Sequence, residues 1–186
     1  MKRELIIIDG FNLIFRVFYA VPPFHTRDGK PVNALFGYTK ALMQIMKMEA
    51  EYVIMTFDSG GGTFRHEADA TYKAQRDGMP DDLVAQMDAI FEVTDLLGIP
   101  RVAVPGFEAD DIIGTLAVKH RDDMERVLIV SSDKDLFQFI GRHVYVYDAM
   151  KDRLYDEEEA VKKFEIHPTQ IVDYLALIGD TSDNIP

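Results

Sequence analysis

The sequence predicts an α/β fold in which a mostly parallel central sheet carries helices on both faces. Short apolar runs alternate with stretches of helical periodicity, which is the pattern of repeated β-α units. The first run, residues 5–8, is continuously apolar, as expected for a parallel strand buried on both faces. An acidic residue follows each of the first four runs. The 186 residues suit one domain with a substantial core.

The strands are predicted from apolar runs that end at polar or turn residues. They cover residues 5–8, 52–57, 101–104, 126–132 and 143–147. The last of these alternates in side-chain type, which is typical of a strand whose two faces meet different surroundings.

The helices are predicted from apolar residues at helical spacing and from capping residues. Asn33 is the predicted cap of a long helix, and Pro80 opens another helix that Gly98 stops. The full set covers residues 11–19, 33–48, 80–97, 108–117, 136–140, 156–164 and 168–178.

The segment between residues 59 and 80 has no clean apolar periodicity. It begins with one serine and three consecutive glycines, a composition that favours flexibility. We predict a mobile excursion from the core, and an ordinary surface loop is an equally good interpretation.

Three carboxylates lie within four residues in the sequence GFEADDIIG, residues 106–114. Glu108, Asp110 and Asp111 precede an apolar run of helical spacing, so they belong to the first turn of a helix. A single acid at this position is more simply a helix cap. Three acids close together repel one another by more than one helix end can offset, and a bound cation would remove that repulsion.

Carboxylates also follow the other three predicted parallel strands. Because the carboxyl ends of parallel strands meet at one edge of a sheet, these acids are expected to converge there. Two more acids follow the last predicted helix. The nine candidate metal ligands are Asp9, Asp58, Glu108, Asp110, Asp111, Asp133, Asp135, Asp180 and Asp183. Capping could explain any one of them, but not the convergence of all at one edge.

Oxygen ligands select hard cations, so this set predicts two Mg²⁺ or Mn²⁺ ions. The sequence has no cysteine, and its five histidines show no zinc-like pairing. Two divalent ions about 4 Å apart can generate hydroxide and stabilise a leaving oxygen, which is phosphate chemistry.

The net charge of −12 by itself argues against a nucleic-acid partner. However, the nine candidate ligands account for nine of these twelve excess negative charges. Arg16, Arg65, Lys73 and Arg76 are candidates to meet a phosphate group. Lys73 and Arg76 would share one face if helical, although a solvated face is an equally good interpretation of their spacing.

The N-terminus carries neither a predicted signal peptide nor a predicted membrane span. Only four consecutive apolar residues separate the charged start of the chain from Asp9. We therefore expect a cytoplasmic protein.

Motifs spread over residues 5–186 resemble the 5′-nuclease family, in particular the N-terminal 5′→3′ exonuclease domain of bacterial DNA polymerase I, which is related to flap endonucleases. The motifs are IIDG at 7–10, FD at 57–58, FRHE at 64–67, YK at 72–73, GFEADD at 106–111, DKDL at 133–136 and GDTSDNIP at 179–186.

The resemblance implies a PIN-like core with a flexible arch at residues 59–80, through or beneath which single-stranded nucleic acid passes. It implies a bacterial, monomeric, divalent-metal nuclease that can be covalently linked to polymerase domains. Such an enzyme removes 5′ flaps and RNA primers from branched or nicked DNA, and it leaves a 5′-phosphate and a 3′-hydroxyl.

The resemblance also assigns roles to single residues. The tighter metal site takes Glu108, Asp110, Asp111 and Asp133, helped directly or through water by Asp9 and Asp58. The second metal site takes Asp135, Asp180 and Asp183. The catalytic residues that contact or activate the scissile phosphate correspond to Arg16, Lys73 and Arg76. We add Arg65 and Tyr72, with Lys73 and Arg76, as candidate substrate-binding residues.

In the family, the DNIP motif leads into a glycine-rich, K⁺-binding helical hairpin that grips duplex DNA. This sequence ends at Pro186. The expectation is therefore a catalytic core over residues 1–186 with weak affinity for DNA. The alternative is a core that binds metal and nucleic acid but cleaves weakly or not at all.

Three other classes of protein remain open. A signalling receiver domain also binds Mg²⁺ at strand ends, but it needs about three acids and has no excursion after its second strand. A phosphatase of the two-aspartate type needs a second aspartate close behind Asp9, where Gly10 and Phe11 stand. A non-catalytic DNA-binding scaffold has no need of the full acid set.

Overall fold

The computed structural model describes residues 3–69, 71–75, 78–180 and 183–185. Within these residues, no helix is both long enough and apolar enough to cross a bilayer.

A six-stranded sheet forms the centre of the described part of the chain. Its strands are β1 (Glu4–Asp9), β2 (Tyr52–Thr56), β3 (Arg101–Val102), β4 (Arg126–Val130), β5 (Val144–Asp148) and β6 (Arg153–Tyr155). Their order is β3-β2-β1-β4-β5-β6, and every neighbouring pair is parallel except β5 and β6. The predicted mostly parallel sheet is confirmed.

The helices pack on both faces of this sheet, as predicted. They are α1 (Gly10–Ala20), α2 (Asn33–Met46), α3 (Phe64–Ala68), α4 (Asp81–Val84), α5 (Met87–Leu96), α6 (Ala109–His120), α7 (Glu157–Phe164) and α8 (Ile171–Ile178). Two 3₁₀ helices cover Asp135–Phe139 and Pro168–Gln170.

Strand β1 is the centre of the core because both of its faces are buried. Ile6 and Ile8 pack into an apolar cluster with α1, α2 and α5. Leu5 and Ile7 point the other way, into a second cluster with α6, α7 and α8. All four side chains are buried, and each contributes about 1.5–3 kcal/mol to the hydrophobic stabilisation of the fold. Two-sided burial explains why this strand is continuously apolar.

The predicted cap of α2 is wrong, and a residue from a distant part of the chain has that role. The side chain of Asn33 does not cap the helix, because its amide donates to the carbonyls of Phe18 and Val21. Instead, Oε1 of the buried Gln86 accepts a hydrogen bond from the backbone N–H of Leu35 at 3.0 Å, in the first turn of α2.

Gln86 also lies at the point where the predicted helix at residues 80–97 is divided into α4 and α5. Its Nε2 donates to the carbonyl of Asp82 at 2.8 Å and to Oδ1 of Asn33 at 3.2 Å. The residue therefore sits between the two helices, with its side chain tied to the start of α2.

The other differences concern the ends of elements and two elements that were missed. Strand β3 has only two residues, and the predicted helix at 136–140 is the 3₁₀ helix Asp135–Phe139. The predicted helix at 168–178 begins as a 3₁₀ turn before α8. The missed elements are α3, inside the 59–80 segment, and β6, which pairs antiparallel with β5. Each is at most five residues long, too short to produce a clear periodicity.

Replacing Gly10 by alanine is expected to destabilise the fold. A Cβ at Gly10 would overlap the ring of Phe57, which is fixed edge-on between Phe11 and Phe91. Overpacking of this kind lowers the free energy of unfolding by about 1–3 kcal/mol. This loss is generally larger than the gain of about 1 kcal/mol that alanine brings in helix propensity. Thermal unfolding is expected to show a melting temperature lower by about 2–8 °C. Gly78→Ala is the control, since a Cβ there meets no atom within 4 Å; equal melting temperatures for the two variants would contradict the overlap.

Candidate active site

The strand order creates a crevice at the centre of the sheet. From β1 the chain builds β2 and β3 on one side, whereas β4 and β5 lie on the other side. In parallel sheets, ligands bind outside the carboxyl ends of the strands at such a reversal of order. Asp9 is the last residue of β1, and Ser131 follows directly after β4.

A cleft of about 180 Å³ opens at this point, and eight of the nine predicted acids line it. The lining residues are Asp9, Asn12, Asp58, Lys73, Glu108, Ala109, Asp110, Asp133, Lys134, Asp135, Asp180 and Asp183. A larger pocket of about 740 Å³ lies near the amino ends of the strands and is mostly apolar. The small, acid-lined cleft is therefore the candidate active site.

Asp9 both caps α1 and faces the cleft. Its Oδ1 accepts a hydrogen bond from the backbone N–H of Asn12 at 3.2 Å, and its Oδ2 accepts one from the hydroxyl of Ser131 at 2.9 Å. Burial raises the pKa of Asp9 to about 7 in spite of these hydrogen bonds, and the charges of Asp133 and Asp58 raise it further.

The start of α6 carries two more cleft acids. Glu108 is the N-cap residue, and Asp110 lies in the first turn. Asp58, from the loop after β2, accepts a hydrogen bond from the N–H of Ala109 at 2.7 Å, so it ties this helix end to the rim of the sheet. Burial, together with the charges of Asp9 and Asp133, raises the pKa of Asp110 to about 8.

The loop after β4 supplies Asp133 and Asp135. Asp133 Oδ1 accepts a hydrogen bond from the N–H of Asp135 at 2.9 Å. Burial and the charge of Asp133 raise the pKa of Asp135 to about 6. Its Oδ1 is buried and has no hydrogen-bond partner among the described residues. A buried acceptor without a donor fits a cation-binding role, because a positive ion would satisfy it.

Positively charged side chains lie against several of these acids. Lys73 Nζ donates to Glu108 Oε2 at 2.9 Å and lies 3.9 Å from Asp183 Oδ2. The hydroxyl of Tyr72 lies 3.1 and 3.2 Å from the same two carboxylates and can donate its one proton to either of them. On the other side of the cleft, Lys134 Nζ lies 3.1 Å from Asp180 Oδ2. These contacts neutralise part of the negative charge.

Within the described residues, no three acidic or histidine side chains already form an ion cage. Lysines are paired with two of the acids, Glu108 and Asp180. The donor set is nevertheless entirely oxygen, which suits Mg²⁺ or Mn²⁺.

Not every predicted site residue lines the cleft. Asp111 is absent from the cleft lining and forms a two-point ion pair with Arg65. Arg16 also does not line the cleft, and its guanidinium bonds Asp148 at the end of β5 at 2.7 Å. Arg76 lies outside the described residues.

Sequence reasoning missed three residues of the cleft region. Asn12 Oδ1 accepts hydrogen bonds from both the N–H and the hydroxyl of Ser132, and so connects α1 to the loop after β4. Ser131 bonds Asp9, and Lys134 pairs with Asp180. The position of Lys134 between two predicted metal ligands was a signal that could have identified it.

The profile of one protein family matches residues 4–165, and it describes the N-terminal resolvase-like domain of 5′-3′ exonucleases. This match covers most of the chain. The chain belongs to the 5′-3′ exonuclease family. The resemblance noted from the motifs is thus confirmed for the family as a whole.

Curated relatives of this 5′-3′ exonuclease family member include free-standing and fused proteins. A 5′-3′ exonuclease from Aquifex aeolicus is 41% identical over 185 residues, which is 99% of this chain and 64% of the relative. A thermostable DNA polymerase I from Thermus thermophilus is 38% identical over 185 residues, covering 100% of this chain and 22% of the relative. The chain therefore spans less than two thirds of the length of these relatives.

Solved structures show the same fold at lower sequence identity. The D15 protein of phage T5, co-crystallised with metal ions, has a TM-score of 0.80 at 22% identity and covers 98% of this chain and 69% of that one. A complex of the T5 D15 flap endonuclease with DNA and metal ions has a TM-score of 0.73 at 23% identity and covers 98% and 68%.

The metal-free protein is expected to lose stability as the pH rises from about 4 to about 8. The pKa values of Asp9, Asp110 and Asp135 are raised above the value of about 3.9 for an unfolded chain. The native state therefore binds more protons than the unfolded state in this window, and the free energy of unfolding falls as the native groups ionise. Urea denaturation in EDTA at pH 5, 6.5 and 8 measures the decline, expected to be several kcal/mol because raising the pKa of one group by one pH unit is worth about 1.4 kcal/mol.

Substitutions at two neighbouring residues, Asp110 and Asp111, are expected to change the free energy of unfolding in opposite directions and so serve as controls. Asp110→Asn removes a destabilising charge, so it should raise the free energy of unfolding at pH 8 more than at pH 5. The Arg65 guanidinium holds the pKa of Asp111 below its usual value, so Asp111→Asn should lower stability at both pH values. A pH slope in Asp110→Asn as steep as in the native protein would refute the assignment.

Proposed function

We propose that this chain is the catalytic core of a divalent-metal-dependent 5′→3′ nuclease that hydrolyses DNA phosphodiesters, including those at 5′ flaps. The observation that carries the proposal is the convergence of eight acids, from five separate parts of the chain, in one small cleft beside two lysines. Family membership and the DNA and polymerase functions named for the relatives support the same activity.

The cleft acids are the proposed metal ligands. Glu108, Asp110 and Asp133 would hold one ion, with Asp9 and Asp58 acting directly or through water. Asp135, Asp180 and Asp183 would hold a second ion. The unpartnered oxygen of Asp135 and the raised pKa of Asp110 support cation binding, because a divalent ion removes the cost of burying these charges. Mg²⁺ and Mn²⁺ are the hard ions that fit this donor set.

Bound divalent ions would supply hydroxide at neutral pH and would stabilise the leaving oxygen. The residues of the chain hold and orient the reacting groups. Lys73 and Lys134 place amines in the cleft, where each is paired with a carboxylate. When those carboxylates turn to an ion, the two amines become available to neutralise the charge of a phosphate.

In the proposed reaction, the oxygen of water forms a bond to phosphorus and the bond from phosphorus to the 3′ oxygen breaks. One proton of the water is lost on attack, and a proton is returned to the 3′ oxygen. The products are a 5′-phosphate and a 3′-hydroxyl, so atoms and charge balance without any further reactant.

The substrate is proposed to be branched or nicked DNA with a 5′ single strand, and RNA-primed DNA. Tyr72 and Lys73 lie over Glu108, so a strand entering the cleft would meet them first. Arg65 lies beside them, 3.7 Å from Glu108 Oε2. Arg16 is proposed to contact a phosphate outside the cleft, near Asp148. The family resemblance adds Arg76 as a phosphate contact.

Cleavage of a labelled 5′-flap duplex tests the proposal. With Mg²⁺ or Mn²⁺ the protein should cut near the junction, and with EDTA it should not. Asp110→Asn and Asp133→Asn are each expected to lower the rate by about 100-fold or more, because they remove oxygen ligands.

Asp88→Asn is the matched control for this assay. Asp88 lies in the first turn of α5, outside the cleft, so the same change of charge there should leave the rate unaltered. Equal cleavage by the native protein and all three variants would show that the activity comes from a contaminant. Absence of cleavage by the native protein at every metal concentration would favour a core that only binds metal and nucleic acid.

A further inference from the structure

We infer that Asp111 and Arg65 form a positioning clamp that anchors residues 63–69 and 71–75 over the cleft, and that Asp111 is not an ion ligand. The catalytic consequence of this clamp rests on the proposed nuclease function. The clamp itself rests only on contacts between side chains.

The ion pair between these two residues has two parallel hydrogen bonds. Arg65 donates from one nitrogen to Asp111 Oδ2 and from the other to Oδ1, both at 2.8 Å. Paired geometry of this kind fixes the orientation of both groups, and it is stronger than a single-point contact. Both side chains are partly shielded from solvent, which reduces screening of the pair.

Both oxygens of Asp111 are already engaged. Oδ2 also accepts a hydrogen bond from the backbone N–H of Glu108 at 3.0 Å, so the carboxylate closes the first turn of α6 as well as binding Arg65. Asp111 does not line the acid cleft; it lines a neighbouring pocket of about 410 Å³ together with Arg65, Asp110 and Asp135. To bind an ion in the cleft, Asp111 would have to give up these three hydrogen bonds.

The clamp connects the cleft to the residues that cover it. Arg65 lies on α3, and the ring of His66, the next residue, packs edge-on against Tyr72 at 5.3 Å between centroids. Tyr72 and Lys73 in turn bond Glu108. Because Arg65 is held in place, the start of this segment is held as well. Later residues of the same segment, Tyr72 and Lys73, contact the proposed metal ligand Glu108.

The two sides of α6 thus have different tasks. Asp110 faces the other acids, whereas Asp111, one residue later and about 100° around the helix, faces Arg65. The clamp also places the Arg65 guanidinium 3.7 Å from Glu108 Oε2, where it adds positive potential without a hydrogen bond.

Mn²⁺ binding, measured by electron paramagnetic resonance in the absence of DNA, distinguishes a residue that binds the ion from a residue that only positions others. Asp111→Asn should keep the number of bound ions, with a Kd within about threefold of the native value. Asp110→Asn, the matched change one residue away, should weaken binding by about tenfold or more. Loss of Mn²⁺ affinity in Asp111→Asn comparable to that in Asp110→Asn would overturn the inference.

Limited proteolysis with proteinase K in EDTA tests the clamp whether or not the protein binds metal or cleaves DNA. Asp111→Asn and Arg65→Gln should each accelerate cuts within residues 59–80 by about tenfold. Because the two residues act as one unit, the double variant should be cut no faster than either single variant. Unchanged cutting in both single variants, or multiplied effects in the double variant, would refute the clamp even if the nuclease assignment holds.

Flap cleavage gives the catalytic readout. Asp111→Asn should lower kcat/KM by about tenfold, because Lys73 and Tyr72 are misplaced. A tenfold increase in Mn²⁺ should not restore kcat/KM, whereas it should partly restore Asp110→Asn. Recovery of Asp111→Asn at high Mn²⁺ would identify a ligand defect and overturn the inference.

Discussion

Repulsion between carboxylates held in one small, partly buried cleft is the constraint on which the site depends. Burial and neighbouring charge raise the pKa values of Asp9 and Asp110 toward neutrality. The protein tolerates this arrangement through hydrogen bonds to some of the acids and through lysines on others, such as Lys73 on Glu108. Each of these contacts is local and modest. Together they keep a charged site assembled in a form that a divalent cation would stabilise further.

Helix capping and metal binding are usually treated as alternative explanations for an acid at the start of a helix. Here the carboxylates that cap helices also line the candidate active site. Asp9 caps α1 while its second oxygen bonds Ser131, and Asp58 caps α6 from another loop. A cap fixes the side chain relative to the helix end, and the helix end is fixed by the core. The acids are therefore positioned by the same contacts that stabilise the secondary structure.

Local patterns predicted the sheet and the convergence of acids because both follow from short-range rules. Residues 5–8 are apolar because both faces of β1 are buried, and parallel strands bring their carboxyl ends to one edge. Short elements such as α3 and β6 gave no clear periodicity, and contacts between side chains far apart in the chain left no local pattern. Nothing in the spacing of Asp111 reveals Arg65 opposite it, and nothing near residue 33 indicates that Gln86 caps α2. The family resemblance likewise assigned Arg16 to the scissile phosphate, and no local pattern indicates its contact with Asp148.

The two outer strands of the sheet are also its shortest. Strand β3 pairs through two residues and β6 through three, and each carries an arginine, Arg101 and Arg153. A long, flat, apolar margin would offer a template of unpaired amides and carbonyls to a second molecule. The two edge strands are short and carry charge, so they offer few unpaired amides and carbonyls to a second molecule. The apolar sheet is therefore protected against edge-to-edge polymerisation at high concentration.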